Sequence, residues 1–374
     1  MKPVFKASLC ALLLVPTLLW AKPGTHFLGK EPYTKTIQKE FAIPENGTTY
    51  LSNKYGKIDV KTWDKNRVKI TVNIVVKAYS SSAADEVFDR IQIQFSNGEN
   101  YAKAVTVIES ANRSWWSWFD TNRSDYAINY EVFLPETNQL DVTHRYGDLY
   151  AASMIGKVRL DVKYVNFKAE GLGDYSSLTM GYGNGSIGQA KNLSATVSYS
   201  KLAVEEAHNV DLTTRYTEIQ LDKAKDVRTD SRYDTYVLGQ VHELSNTGSY
   251  DNFLIGSAVS LSANTSYSYF KVEKVTQALN LTVKYTDADV KLGPGFRSAT
   301  CNGSYSGFKI GVPASASYQI DGYAAYAGLQ YPDQLDVEYE LQKNNERTIR
   351  GKAGQGGPKI ALSLRYGGGK VYAY

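Results

Sequence analysis

The sequence predicts an all-β chain built as a repeat β-solenoid, parallel-β-helix-like, with rungs of 17–18 residues and a small N-terminal β-rich region holding one short helix. Three observations predict it. One tyrosine recurs as Tyr146, Tyr164, Tyr182, Tyr199, Tyr216, Tyr233, Tyr250, Tyr267, Tyr285, Tyr305 and Tyr323, in steps of 18, 18, 17, 17, 17, 17, 17, 18, 20 and 18 residues. Such a period marks units that bury an apolar face against their neighbours. Apolar residues alternate around each tyrosine: Leu193, Ala195 and Val197 precede Tyr199, and Leu202 and Val204 come after it. The pairs after the tyrosines, such as Ser200-Lys201, Thr217-Glu218 and Asp251-Asn252, mostly lack the Asn-Gly or Gly-X chemistry of a tight hairpin. A corner in a parallel coil accommodates them. At about 4.8 Å per rung, eleven rungs would extend roughly 50 Å.

In chain order, residues 1–21 read as a secretory signal, with Lys2 and Lys6 ahead of the apolar run Ala7 to Leu19 and a cut near Ala21. The run is too short to span a membrane, which needs about 20 residues. Residues 22–40, with Pro23, Gly24, Gly29 and Pro32, read as an extended leader. Residues 41–138 read as the β-rich region. Within it Val68, Ile70, Val72, Ile74 and Val76 alternate as a strand, and Ser82 is expected to cap a short helix through Ala83, Ala84, Val87 and Phe88. Residues 139–328 carry the regular repeats. Residues 329–374 supply further strands, a glycine-rich charged loop from Lys343 to Pro358, and a capping rung in which Ile360, Leu362, Leu364 and Tyr366 return to the template.

Charge and cysteine content exclude several functions. Removing residues 1–21 takes two lysines from the 42 Lys+Arg and nothing from the 38 Asp+Glu, leaving a formal charge of +2. That balance predicts no nucleic-acid partner and no attraction to an anionic bilayer. Only Cys301 remains after processing, at an inward position, so it is expected to be an inert buried thiol.

The stretches LSNKYGKIDVKTW (Leu51 to Trp63), VTHRYGDLY (Val142 to Tyr150) and IALSLRYGGGKV near the end, together with the signal segment, resemble the bacterial "putative adhesin" family of β-strand-repeat domains of unknown function. The resemblance spans about Phe41 to Tyr374. It implies a β-helical envelope or surface protein and brings no catalytic residues.

Candidate chemistry is sparse. The tyrosine run admits two readings, a sugar-stacking ladder or core packing. Tyr199 is in phase with Leu193, Ala195 and Val197, so the expectation is that the tyrosines point inward. The loop of residues 112–124 gathers Trp115, Trp116, Trp118 and Phe119 between Arg113 and Arg123. It either folds over the open end of the solenoid as a cap or contacts a ligand. It is the candidate site at this level. Asp234, Asp251 and Asp287 recur near corners and could line up for calcium, but turn chemistry explains them more simply. His26, His144, His208 and His242 are dispersed, so no metal site and no cofactor are expected. The leading expectation is a non-enzymatic exported protein that binds a surface glycan or an envelope or matrix protein, or scaffolds the envelope. A polysaccharide lyase or hydrolase on the same fold is the alternative, by analogy of fold alone. An outer-membrane barrel is the third, although its strands should run about 9 to 11 residues.

Overall fold

The structure is a computed structural model that describes residues 29–109 and 125–374 of the 374. The signal reading for residues 1–21 and the aromatic loop lie outside the described residues.

The N-terminal region begins with β1 (Glu31–Ala42), β2 (Thr48–Trp63) and β3 (Arg67–Ala78), then α1 (Ser81–Asp89), β4 (Ile91–Gly98), β5 (Tyr101–Ile108) and β6 (Tyr126–Pro135). From Glu31 the segment expected to be a leader is a strand, paired antiparallel along its whole length with β3. The helix cap is Ser80, not Ser82: its Oγ accepts the Ala83 amide at 3.2 Å. β3 carries the alternation of the sequence into a core where Val68, Ile70, Val72 and Ile74 are fully buried.

The coil then runs through β7 (Gln139–Ala151), β8 (Val158–Leu172), β9 (Ser176–Gly181), β10 (Asn184–Ser198), β11 (Lys201–Arg215), β12 (Glu218–Arg232), β13 (Thr235–Ser249), β14 (Asn252–Ser266), β15 (Tyr269–Lys284), β16 (Asp287–Leu292), β17 (Ser298–Ser304), β18 (Gly307–Val312), β19 (Tyr318–Ala325) and β20 (Gly328–Gln330). It closes with β21 (Asp336–Lys343), β22 (Glu346–Ala353), β23 (Lys359–Arg365) and β24 (Gly368–Ala373). Successive rungs pair in parallel with a fixed offset, Leu202 on Ile219 and Ile219 on Tyr236. This is a β-solenoid, and the parallel ladder sets aside the barrel reading, since membrane barrels are antiparallel. β2 is the first rung, joined to β7 through Thr48 to Val60.

Each rung has two arms that contribute side chains to one core. In β11 the inward residues are Leu202 and Val204, then Ala207 at a bend, then Val210, Leu212 and Thr214. Burying a Leu or Val side chain stabilises by about 1.5–3 kcal/mol. Small residues at the bend, Ala190, Ala207, Ala224 and Ala258, let the chain turn there with a buried side chain. Three inward aromatics, Tyr236, Phe253 and Phe270, stack at 4.6 and 4.7 Å on successive rungs.

At the far end the order in space departs from the order in sequence. β23 lies between β17 and β19, pairing in parallel with both. β24 lies likewise between β18 and β20. The expected capping rung is therefore inserted one place before the end. The covering element is instead the antiparallel pair β21 and β22, with β22 against β19. Half of the expected charged loop is thus strand, because Glu346 to Ala353 alternates residues into the edge it covers. Among the described residues no helix is long and apolar enough to cross a membrane.

Candidate functional site: an outward tyrosine ladder

Every ladder tyrosine sits at a corner in the left-handed region, with φ between 50° and 64°. Of the fifteen non-glycine residues with positive φ among the described residues, fourteen are tyrosine. One left-handed residue shifts the alternation by one place. Val197 is buried, Ser198 is half-exposed, Tyr199 faces solvent, and Ser200, which the alternation would put outside, is buried. The inward expectation for the tyrosines is therefore overturned. The signal was present: apolar residues fall at even offsets before each tyrosine and at odd offsets after it, which requires a change of phase at the corner.

The rings form one continuous stack. It runs through Tyr55, Tyr146, Tyr164, Tyr182, Tyr199 and Tyr216, then on to Tyr305, with centroid steps of 4.7 to 5.3 Å and interplanar angles of at most 22°. It ends on Tyr366 and then Tyr326, so the last members are not Tyr323. From Tyr146 onward the thirteen-membered ladder is 38% to 58% exposed. Ring faces are occupied by neighbouring rings, so the ladder offers solvent its ring edges and a row of hydroxyls one rung apart. Basic groups line one flank: Lys54, Lys163, Arg232 and Lys284 each lie 4.9 to 5.6 Å from a ladder ring centroid.

A second, buried ladder holds the corners in place. From Tyr199 to Tyr305 the residue after the tyrosine turns inward, and in six of these rungs its side chain accepts the amide of its counterpart one rung earlier. Ser200 Oγ accepts from Gly183 N at 3.2 Å, Asp234 Oδ1 from Thr217 N at 2.7 Å, and Asp251 Oδ1 from Asp234 N at 3.0 Å. Ser268, Thr286 and Ser306 continue the series at 3.1, 3.1 and 3.2 Å. These bonds satisfy amides that the corner turns away from the strand ladder. Burial pushes the Asp251 carboxyl up to about 6. Asp234 and Asp251 thus belong to the corners, as turn chemistry has it, and Asp287 accepts the Gly307 amide at 2.9 Å on the surface.

His144 is fully buried, its ring nitrogens 3.2 and 3.1 Å from the carbonyls of Asn53 and Gly56, and burial lowers its pKa. Cys301 is buried and its thiol is pushed up to about 12, which makes it unreactive. The structure brings His242 together with Asp226 and Glu243, with ligand atoms within 4.8 Å of one another, which the dispersed histidines of the sequence did not suggest. His242 and Glu243 are exposed and Asp226 is half-buried on the outer bends, and Lys225 Nζ is 3.8 Å from the Asp226 carboxylate, competing with any cation there. Arg113, Trp115, Trp116, Trp118, Phe119 and Arg123 lie outside the described residues. Tyr126, just after that loop, packs edge-on against Tyr55 at 5.7 Å and so closes the start of the ladder.

No protein-family model matches the chain, and no curated protein matches it. Several solved structures align with it over most of its length, three of them as follows. A "putative cell adhesion protein" from Clostridium sporogenes is 9% identical, covering 92% of this chain and 100% of that one, with a TM-score of 0.20. A "putative adhesin" from Bacteroides fragilis is 12% identical, with coverages of 91% and 97% and a TM-score of 0.29. A "putative lipid binding protein" from Parabacteroides distasonis is 11% identical, with coverages of 90% and 96% and a TM-score of 0.29. Two of these names agree with the family resemblance of the sequence. At such scores the likeness carries no argument, and the fold stands on the chain's own strand pairing.

Proposed function

We propose that the chain is a non-enzymatic exported binding protein of the cell envelope, adhesin-like, that holds an extended surface polymer along its tyrosine ladder. The observation that carries this reading is the outward stack itself. A non-glycine residue in the left-handed region costs about 1–2 kcal/mol, and glycine would serve each corner at less cost. Tyrosine at every one of thirteen corners instead builds a regular row of phenol hydroxyls with cations beside it, a repeat suited to a repeating ligand. The partner class is a surface glycan or a matrix protein, and the loop with Trp115, Trp116, Trp118, Phe119, Arg113 and Arg123 is a second contact on the same reading.

The test is capture of polysaccharides and matrix proteins by the purified chain and by a Tyr199→Asn/Tyr216→Asn/Tyr233→Asn variant. Asparagine tolerates the left-handed corner, so the fold is kept while the ring row is broken. Capture is expected to fall at least tenfold. Unchanged capture by this variant would remove the ladder from the binding surface. A Trp115→Ala/Trp116→Ala/Trp118→Ala variant measures the loop separately. Incubation with acidic and neutral polysaccharides, with and without calcium, is expected to give no cleavage products, and any product would revive the lyase or hydrolase reading.

A further inference from the structure

The last rungs carry a cavity of about 370 Å³ beside the ladder. Its floor is the position two residues past the tyrosine, which is glycine on three adjacent rungs: Gly307, Gly368 and Gly328. On the rungs just before, Tyr269 and Asp287 take the same position and close one end. The next outward row supplies the far wall, with Asp289, Lys309, Lys370 and Gln330. One row further out, Glu273 lies 2.9 Å from Lys291 and also 3.5 Å from Lys271, which stands in the row of Asp289, so these charges neutralise one another. Among the described residues, the four wall groups have no hydrogen bond or ion pair of their own.

We infer that this trough is a binding site for a neutral, linear oligosaccharide of about three residues. The glycines only leave room; the wall chooses the ligand. Two carboxylates and two ammonium groups cancel, so the trough has no net attraction for a polyanion. It does present acceptors on Asp287 and Asp289, donors on Lys309 and Lys370, and both on Gln330. A sugar hydroxyl both donates and accepts, so a mixed wall matches a polyol better than it matches a phosphate or a carboxylate. Tyr269 at the closed end offers an aromatic surface for the terminal ring. The trough spans steps of 4.9, 4.9 and 5.1 Å from Tyr285 to Tyr326, about 15 Å in all. Each step is close to the length of one pyranose along an extended chain. The site sharpens the binding reading above by naming a ligand class and a place, and its test is separable from that reading.

The experiment is isothermal titration of the purified protein with β-1,4-linked oligomers of glucose and of N-acetylglucosamine, one to six units long, and with oligogalacturonates as acidic counterparts. Affinity for a neutral series is expected to rise to about three units and then level off, changing less than twofold between low and high salt. Gly328→Leu fills the trough, because a Cβ there meets nothing within 4 Å. It is expected to weaken binding at least tenfold with an unchanged melting temperature. Lys309→Gln/Lys370→Gln is expected to weaken it about tenfold. The Tyr199, Tyr216 and Tyr233 variant, which breaks the ladder outside the trough, should leave trisaccharide binding intact even if polymer capture is lost. The inference is overturned if no neutral oligomer binds at millimolar concentration, if Gly328→Leu binds as the parent does, or if the acidic series binds more tightly and with steep salt dependence.

Discussion

Each ladder tyrosine balances two opposing energies. The left-handed corner costs about 1–2 kcal/mol, and a stacked aromatic pair contributes about 0.5–1.5 kcal/mol beyond burial. An interior tyrosine has two such pairs, so the stack offsets the corner only when it is continuous. Tyr233→Asn is therefore expected to destabilise by about 1 kcal/mol, and Tyr233→Val by clearly more, because a branched side chain suits positive φ least. Chemical denaturation measures both, and a valine variant as stable as the asparagine one would contradict the account. The positions of these residues are legible in the sequence, since the period needs only counting. Their direction is not, because counting by twos assumes an extended backbone at every step, and one left-handed residue per rung breaks that assumption. Asp251 is legible as a corner residue, but its burial depends on the same reversal. Its carboxyl, raised from an ordinary 3.8 to about 6 by burial, holds a proton in the folded state that the unfolded chain has lost. Stability from this group is thus present below about 3.8 and falls as pH rises to 6. Asp251→Asn is expected to flatten the pH dependence of the urea midpoint across that window, and an unaltered slope would show that Asp251 is not its source.

At the scale of the rung, the corner is a joint between two strands whose geometry depends on the residue directly after the tyrosine. In the middle rungs a hydroxyl or carboxylate reaches the previous amide. In three of the four early rungs the place is taken by glycine, Gly56, Gly147 and Gly183, with a buried Val165 in the fourth, and at the glycines the backbones close in. A Cβ on Gly147 would lie 1.6 Å from the Gly56 carbonyl oxygen. Gly147→Ala is therefore expected to cost more than about 3 kcal/mol or to abolish folding, whereas Ala in place of Ser268 should cost about 1–2 kcal/mol for the lost acceptor. Circular dichroism during heating separates the two. The sequence shows these pairs as corners and shows why they are not hairpins. It does not show which arm pairs with which, and β22 reads there as loop, since the alternation of Glu346 to Ala353 is masked by Glu346, Arg347, Arg350 and Lys352, although the strand is paired on both sides.

Over the whole molecule, the regular middle is readable because one rule repeats, and the ends are not because the rule stops there. β1 is hidden among prolines and glycines, and nothing in the apolar pattern of β23 and β24 tells that they slot in before β19 and β20. That arrangement has a measurable effect on stability. A chain ending before Lys359 would leave β17 and β19 without the strand between them, so hydrogen exchange is expected to accelerate from Ser298 to Gln330 and not only at the final residues. Protection that keeps the parent pattern would refute the dependence. The same insertion also bears on timing. Ser304 and Arg365 are partners separated by 61 residues, while successive rungs through the middle of the coil are partners across 17. Residues 359–373 leave the ribosome after the strands on either side of them, so the earlier rungs can zip up one after another while the last slot waits. Closure of such a distant contact is slow, and β23 and β24 are expected to enter after the strands that flank them, a bolt sliding home between two plates already in place.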